Sequence, residues 1–267
     1  ERVSGYKLAR PDGWDFYTGE TINYRENIGK IVEPPQPNPF SGICSSGVLH
    51  ASKSPNDCFV GASIPCSAYR VSGIPVCGDA SKWGFIELEI LREITDLDKL
   101  FGWRYSEAIN PVHPFGLPQV SLVTEEHLVL LKDWVSTRDL IWDLIWDLIR
   151  KTVGESILKS IWNSVRTKIL ESVQNLIWDS IIDSTRDSIK ASTRDSVGAY
   201  IGSLFPNIKE WHCINPPKGK YPFQSVVDLW RKGIVPSFDG EVWRLHSGAN
   251  AKIIWQGEVK IEEHKEG

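Results

Sequence analysis

The sequence predicts an α+β protein in three parts, and three observations carry that expectation. Strand-length apolar runs alternate with turn signals up to about residue 120, giving a mixed α/β N-terminal domain over 1–120. A four-residue repeat then fills most of 121–205, read as a long α-helical segment. Hairpin signals mark a small β-rich C-terminal domain over 206–267.

In the first part, turn signals recur at Pro11-Asp12-Gly13, the prolines of Pro34 to Pro39, Ser46-Gly47, Ser54-Pro55-Asn56-Asp57 and Gly78-Asp79. Between them lie strand-like runs such as Ala68 to Val71 and Phe85 to Ile90. The Pro- and Gly-rich stretch Ile109 to Pro118 reads as a linker. Thr124 is a plausible helix N-cap. His127 stands where a capping box would place Glu, so the box is expected to be incomplete. Leu128, Leu131, Trp134 and Val135 supply an apolar helical face.

The repeat runs in tetrads from Thr137 to Ile201, and of sixteen first positions from Ile141 onward fourteen are Ile or Val. The other two are Thr185 and Thr193. Fourth positions favour Ser or Leu, and third positions favour polar residues. In a flat strand, first and third positions would share a face and bury Asp143, Lys151, Glu155 and Asp179, which excludes that form. In an α-helix, first and fourth positions are neighbours, but four residues at about 100° each overshoot a full circle by about 40°. The stripe must therefore drift. Either the segment supercoils right-handedly with other copies, or it breaks into pieces that pack as a bundle. Gly154 and the region Thr185 to Thr193 are the expected joints, and Gly198, Gly202 and Pro206 the expected end. A β-solenoid turning a corner in each tetrad is the alternative.

In the third part, Pro216-Pro217-Lys218-Gly219 reads as a loop and Phe223 to Trp230 as a helix stopped by Gly233. Phe238-Asp239-Gly240 joins Ile234–Ser237 to Val242–Leu245 as a hairpin. Ala251 to Trp255 and Val259 to Ile261 add strand-like runs.

Composition narrows the function classes. Net charge is −4, and the repeat from Thr137 to Tyr200 carries nine Lys/Arg against nine Asp/Glu, so nucleic acid is not an expected partner. Without a run of eighteen apolar residues, a membrane span is not expected. The opening residues, ERVSGYKLAR, lack an apolar signal core, which points to a cytoplasmic protein, host-cell or virion-associated. Cys44, Cys58, Cys66, Cys77 and Cys213 show no CxxC pair and no common zinc spacing, so neither a metal nor a cofactor is expected. Phosphate-loop, nucleophile-elbow and HExxH motifs are missing.

The run Tyr6-Lys7, Phe16-Tyr17-Thr18-Gly19, Asn23-Tyr24 and Cys44-Ser45-Ser46-Gly47-Val48-Leu49-His50-Ala51-Ser52 resembles an uncharacterised domain of phages and mobile elements. In that family a YK strand precedes a C-x-x-G-(L/F)-H-A motif, a Pro-containing turn, a V-x-G segment and a G-D-x-x-K stretch. Ser54-Pro55-Asn56-Asp57, Val71-Ser72-Gly73 and Gly78-Asp79…Lys82 follow the same order, over roughly residues 5 to 100. Val48 is an insertion relative to the motif. The resemblance implies a phage context and a short-period repeat array downstream, with no activity attached.

Two function classes follow. The first is a non-enzymatic structural or interaction protein, a homo-oligomer assembled through the repeat, with Trp142, Trp146, Trp162 and Trp178 as an aromatic ladder. The second is an enzyme with a site around His50. A His following Gly in a strand is similar to ADP-ribosyltransferase folds, in which such a histidine binds the NAD ribose and a distant Glu acts. That likeness implies binding roles for His50, Ser52, Tyr17 and Tyr24, with Glu87 as a candidate partner.

Overall fold

A computed structural model describes residues 1–43, 45–181, 186–209, 211 and 220–260. It is mixed α and β. One compact unit is Glu1–Tyr105 with Gly154–Ser160, and the other is Ser106–Val153 with Ile161–Gly267.

The first unit is built on seven antiparallel strands: β1 Val3–Ala9, β2 Ile31–Val32, β3 Leu49–Ser52, β4 Ser67–Gly73, β5 Cys77–Gly78, β6 Lys82–Phe85 and β7 Leu88–Ile94. Their order in the sheet is β2-β7-β4-β1-β3-β6-β5. Both edges are strands of two residues, which leaves little ladder open to another chain. Ala9, Leu49, Ala51, Tyr69, Val71, Phe85, Leu88 and Ile90 bury one sheet face beneath Ile22 and Tyr24, which come from the loop after β1. The expected run Phe85 to Ile90 is divided: Phe85 ends β6 and Leu88 opens β7. After the sheet come helices α1 Leu97–Phe101 and α2 Tyr105–Ile109. The Tyr105 hydroxyl both accepts from the Cys66 N–H (2.8 Å) and donates to the Cys66 carbonyl (2.9 Å), fastening Tyr105 to the segment just before β4.

In the second unit, helix α3 Glu125–Thr137 opens as expected at Thr124. The capping box is nevertheless closed, because the Thr124 N–H donates to His127 Nδ1 at 3.1 Å. An imidazole does the work expected of a Glu carboxylate. The stretch Ile109 to Pro118, expected as a linker, is anchored. The Val112 N–H donates to the Tyr200 hydroxyl (3.0 Å), and the Val112 carbonyl accepts from Trp230 Nε1 (2.9 Å).

The repeat is helical, in separate pieces: α4 Ile141–Leu144, α5 Arg150–Val153, α6 Glu155–Val165, α7 Glu171–Asp179 and α8 Arg186–Gly202. None of its described residues lies in a strand. All fourteen described first positions are buried, the most exposed being Val153 and Ile181 at 8%. The drift that an uninterrupted α-helix would impose is removed in two ways. Ile145–Ile149 and Arg166–Leu170 are π-helical turns. A π turn holds more than four residues, so a tetrad falls short of a circle there and offsets the overshoot of the α pieces. Gly154, at φ +95°, breaks the chain between α5 and α6. The other expected joint, Thr185 to Thr193, does not form over its described part, since Arg186 to Thr193 runs unbroken inside α8; Thr185 itself lies outside the described residues.

The serines of the repeat also find a reason. Ser192 and Ser196, both in fourth positions, and Thr193 are buried. Each hydroxyl donates to a carbonyl one turn back in its own helix: Ser192 and Thr193 to Ile189, and Ser196 to Ser192. A small side chain that satisfies its own hydroxyl can be packed closely without orphaning a polar atom. Gly198 does not end the helix; it lies inside α8, where a Cβ would sit 3.7 Å from both Ile141 Cδ1 and the Trp142 ring.

Helix α9 Gln224–Arg231 and strands β8 Ile234–Phe238, β9 Trp243–Ser247 and β10 Lys252–Gly257 complete the unit as a three-stranded sheet, β10-β9-β8. The expected hairpin turn is present. Asp239 Oδ1 accepts from the N–H groups of Glu241 and Val242 (2.9 Å each), with Gly240 at φ +108°. The expected strand at Val259 to Ile261 does not form over its described part, 259–260. The loop Pro216 to Gly219 and the cysteines Cys44 and Cys213 lie outside the described residues.

Candidate functional site

β1 and β3 are neighbours in the sheet, yet they share register at one pair, Tyr6 opposite Ser52. On its other side β1 pairs with β4 along its whole length, from Val3 opposite Gly73 to Ala9 opposite Ser67. The sheet therefore forks after Tyr6. Lys7 and Leu8 on one prong and Leu49 and His50 on the other line a cavity of about 580 Å³. A cleft of this size, apolar with a few converging polar groups, is of the kind that takes small molecules.

Local sequence explains the fork. At its closed end β1 presents Gly5, where a Cβ would fall 2.9 Å from the Ser52 carbonyl oxygen, so the strands approach as only glycine allows. A 3-10 turn, Asn56–Val60, packs against both strands and brings the Cys58 thiol to the Tyr6 carbonyl oxygen at 3.5 Å. The cleft's outer wall is the loop after β1. Asp15 locks that loop by accepting from the N–H groups of Thr18 (2.7 Å), Thr21 (3.1 Å) and Ile22 (3.4 Å) and from the Thr18 hydroxyl. Burial would raise the Asp15 pKa, but these bonds outweigh it and hold the carboxyl below the usual range.

All four N-terminal residues singled out by sequence, Tyr17, Tyr24, His50 and Ser52, line this one cavity. They differ in character. Tyr24 is buried beneath the Lys7 ammonium, which lies 5.5 Å from its ring centroid, and burial pushes its hydroxyl up, so it stays neutral. Ser52 is buried at the pinch. Tyr17 is 94% exposed. His50 Nε2 meets the Ile43 carbonyl. Burial, joined by the charges of Lys7 and Lys82 and opposed by Asp79, draws His50 down to about 4, so the imidazole is neutral at pH 7. Glu87 is exposed and does not line the cavity.

Sequence reasoning missed Lys7, Lys82, Ser45 and Cys58 as lining groups. The two lysines stand in the YK and G-D-x-x-K stretches, which are the sequence signal that could have found them. Asp79 positions Lys82 by accepting from its N–H at 2.9 Å. The Cys58 thiol is pushed up by burial and stays protonated, which removes it as a nucleophile. Ser45 Oγ is shielded from solvent with no hydrogen-bond partner among the described residues. No family model matches the chain, and neither a curated protein nor a solved structure matches it. Among the described residues no three His, Cys, Asp or Glu side chains converge as metal ligands, and no helix is long and apolar enough to cross a membrane.

The tryptophans belong to the second unit. Trp142 stacks on Trp146 (centroids 5.9 Å apart), and Trp162 meets both edge-on at 6.1 and 5.4 Å. The Arg194 guanidinium lies 4.6 Å from the Trp142 ring, and Trp142 Nε1 donates to Asp195 at 2.6 Å. Trp178 is half-buried and is not among the ring pairs of this cluster. A second histidine, His246, is fully buried with Ser180 Oγ 3.3 Å from Nδ1. It is no catalytic base for that serine. Nδ1 also faces the Ala251 carbonyl at 2.9 Å, which can only accept, so Nδ1 carries the proton and Nε2 accepts from Ser237 (2.8 Å).

Proposed function

We propose that the protein binds a small molecule in the fork between β1 and β3. The single observation that carries this reading is the loss of register after Tyr6–Ser52, beside a cavity of about 580 Å³, although β1 stays paired with β4 on its other side from Val3–Gly73 to Ala9–Ser67. A strand pair that forks gives up ladder hydrogen bonds and apolar contact, so the space it creates calls for an occupant. The neutral imidazole, the serine hydroxyls and the tyrosines are recognition groups. Among the described residues the cleft-lining carboxylates are Asp15, which is spent on its own loop, and Asp57, with no Glu. Binding is accordingly favoured over ADP-ribosyl-transfer chemistry.

A self-associating scaffold, with the repeat wound as a right-handed coil with other copies, is the weaker proposal. Three of its four tryptophans already pack on one another within a single chain.

Histidine-selective NMR with pooled metabolites tests the binding reading. A pool containing the ligand should shift the His50 ring resonances and leave those of His246 in place. If no pool moves His50, or both histidines move together, the cleft is not a ligand site.

A further inference from the structure

The cleft's lining combines two kinds of group, and these suit two parts of one ligand. Around His50 stand two ammonium groups, Lys7 from β1 and Lys82 from the start of β6, with the Ser45 and Ser46 hydroxyls also on the wall. Other lining residues are apolar or aromatic: Phe16 and Tyr17 from the loop after β1, Pro34 and Pro35 from the segment after β2, and Val60 from the 3-10 turn. Tyr17 and Val60 are 94% and 80% exposed, so they offer unburied apolar surface to an occupant.

We propose that the occupant is a phosphorylated small molecule with a planar ring, of nucleotide chemistry, its phosphate between Lys7 and Lys82 and its ring against Tyr17. This rests on the fork-cleft reading. Three observations converge on it. The two lysines come from different strands, both line the cleft, and the charges of both act on His50; ammonium groups bind phosphate as point charges. Ser45 Oγ, buried and unpartnered among the described residues, is a hydroxyl that an anion's oxygen would satisfy. Tyr17 is an aromatic face with nothing over it, and stacking on a base is how such a ring is ordinarily used. The carboxylates on the wall are compatible. Asp15 is occupied by its own loop, and Asp57 offers an acceptor for ligand hydroxyl or amino groups.

The test is calorimetric titration of the whole chain with the four common ribonucleoside monophosphates, their nucleosides and inorganic phosphate. At least one monophosphate should bind, and its nucleoside about tenfold or more weakly, the loss expected for removing a charge-assisted contact. Lys7→Gln and Lys82→Gln should each weaken the monophosphate about tenfold and leave the nucleoside unchanged. Tyr17→Ala should weaken the monophosphate and spare inorganic phosphate. Lys82 is the first residue of β6, whereas Lys7 lies within β1, so the Lys82 variant serves should Lys7→Gln disturb the sheet.

Equal affinity for nucleotide and nucleoside, indifference to both lysine variants, or no nucleotide binding at all would overturn the ligand class. A blocking variant separates that failure from failure of the cleft. Gly61 lines the cavity, and a Cβ there meets nothing within 4 Å, so Gly61→Trp fills the space without a clash at Cβ. Nucleotide binding that survives Gly61→Trp places the ligand elsewhere and sinks both readings. An uncharged ligand that binds and is blocked by Gly61→Trp keeps the cleft and rejects the nucleotide.

Discussion

Tyr6 and Ser52 face one another across β1 and β3 and are the pair at which these strands keep register; beyond them the sheet opens into a cavity. The pinch is held by contact at Gly5, where a Cβ would lie 2.9 Å from the Ser52 oxygen and 3.2 Å from the Ala51 Cβ. Gly5→Ala should therefore force the strands apart and destabilise the fold by about 1–3 kcal/mol, in the range of overpacking substitutions. Urea denaturation checks this, and an unchanged midpoint would mean the pinch is looser than described.

Gly154 makes a different demand. Its φ of +95° is strained for any residue with a Cβ, although space around it is open. Gly154→Ala should cost about 1–2 kcal/mol through backbone strain alone. A thermal melt followed by circular dichroism at 222 nm would show the loss as a lower midpoint with the starting helicity intact.

Trp142, Trp146 and Trp162 stabilise the second unit from within. Trp162→Ala removes a ring that meets two others and the Arg194 guanidinium, which lies 5.7 Å from it. The expected loss is about 2 kcal/mol or more, from buried area and aromatic pairing together. The oligomeric state, read by light scattering before and after, should not change. Dissociation of an oligomer with stability preserved would instead favour an assembly role for the ladder.

Acid should weaken the second unit through His246. Burial draws its pKa from 6.5 to about 4, against the pull of the Ala251 carbonyl. The unfolded chain then binds a proton more readily than the folded one. The contribution of His246 is thus complete above about pH 6.5 and is lost as pH falls towards 4, by about 3 kcal/mol over the window. Chemical denaturation at pH 7 and pH 5 should show this slope, and His246→Gln should flatten it. His50, His113 and His127, all lowered chiefly by burial, add slope of the same sign that remains in the variant.

What the chain reveals before it folds depends on how local the determinant is. The hairpin at Phe238-Asp239-Gly240 was legible because the turn residues carry their own hydrogen bonds. The burial of every described first position of the tetrads was legible in the Ile/Val stripe, but the π turns at Ile145–Ile149 and Arg166–Leu170 were not. They answer a geometric conflict between a period of four and a 3.6-residue turn that no single residue announces. The capping box closes without a Glu because the His127 imidazole nitrogen accepts in place of a carboxylate, which residue type alone does not announce. At the cleft, His50, Ser52, Tyr17 and Tyr24 could be picked out by residue type. Lys7 and Lys82 could not be joined to them, since their meeting depends on β1, β3 and β6 lying side by side. The fork itself is a failure of register between distant strands, which a linear sequence does not display.

The central claim, that the fork between β1 and β3 is the working site of the protein, is tested most directly by thermal-shift titration of wild type and Gly61→Trp against the same metabolite library. A saturable stabilisation of wild type that is absent from a folded Gly61→Trp variant is the expected result. Identical shifts in the two proteins would contradict it.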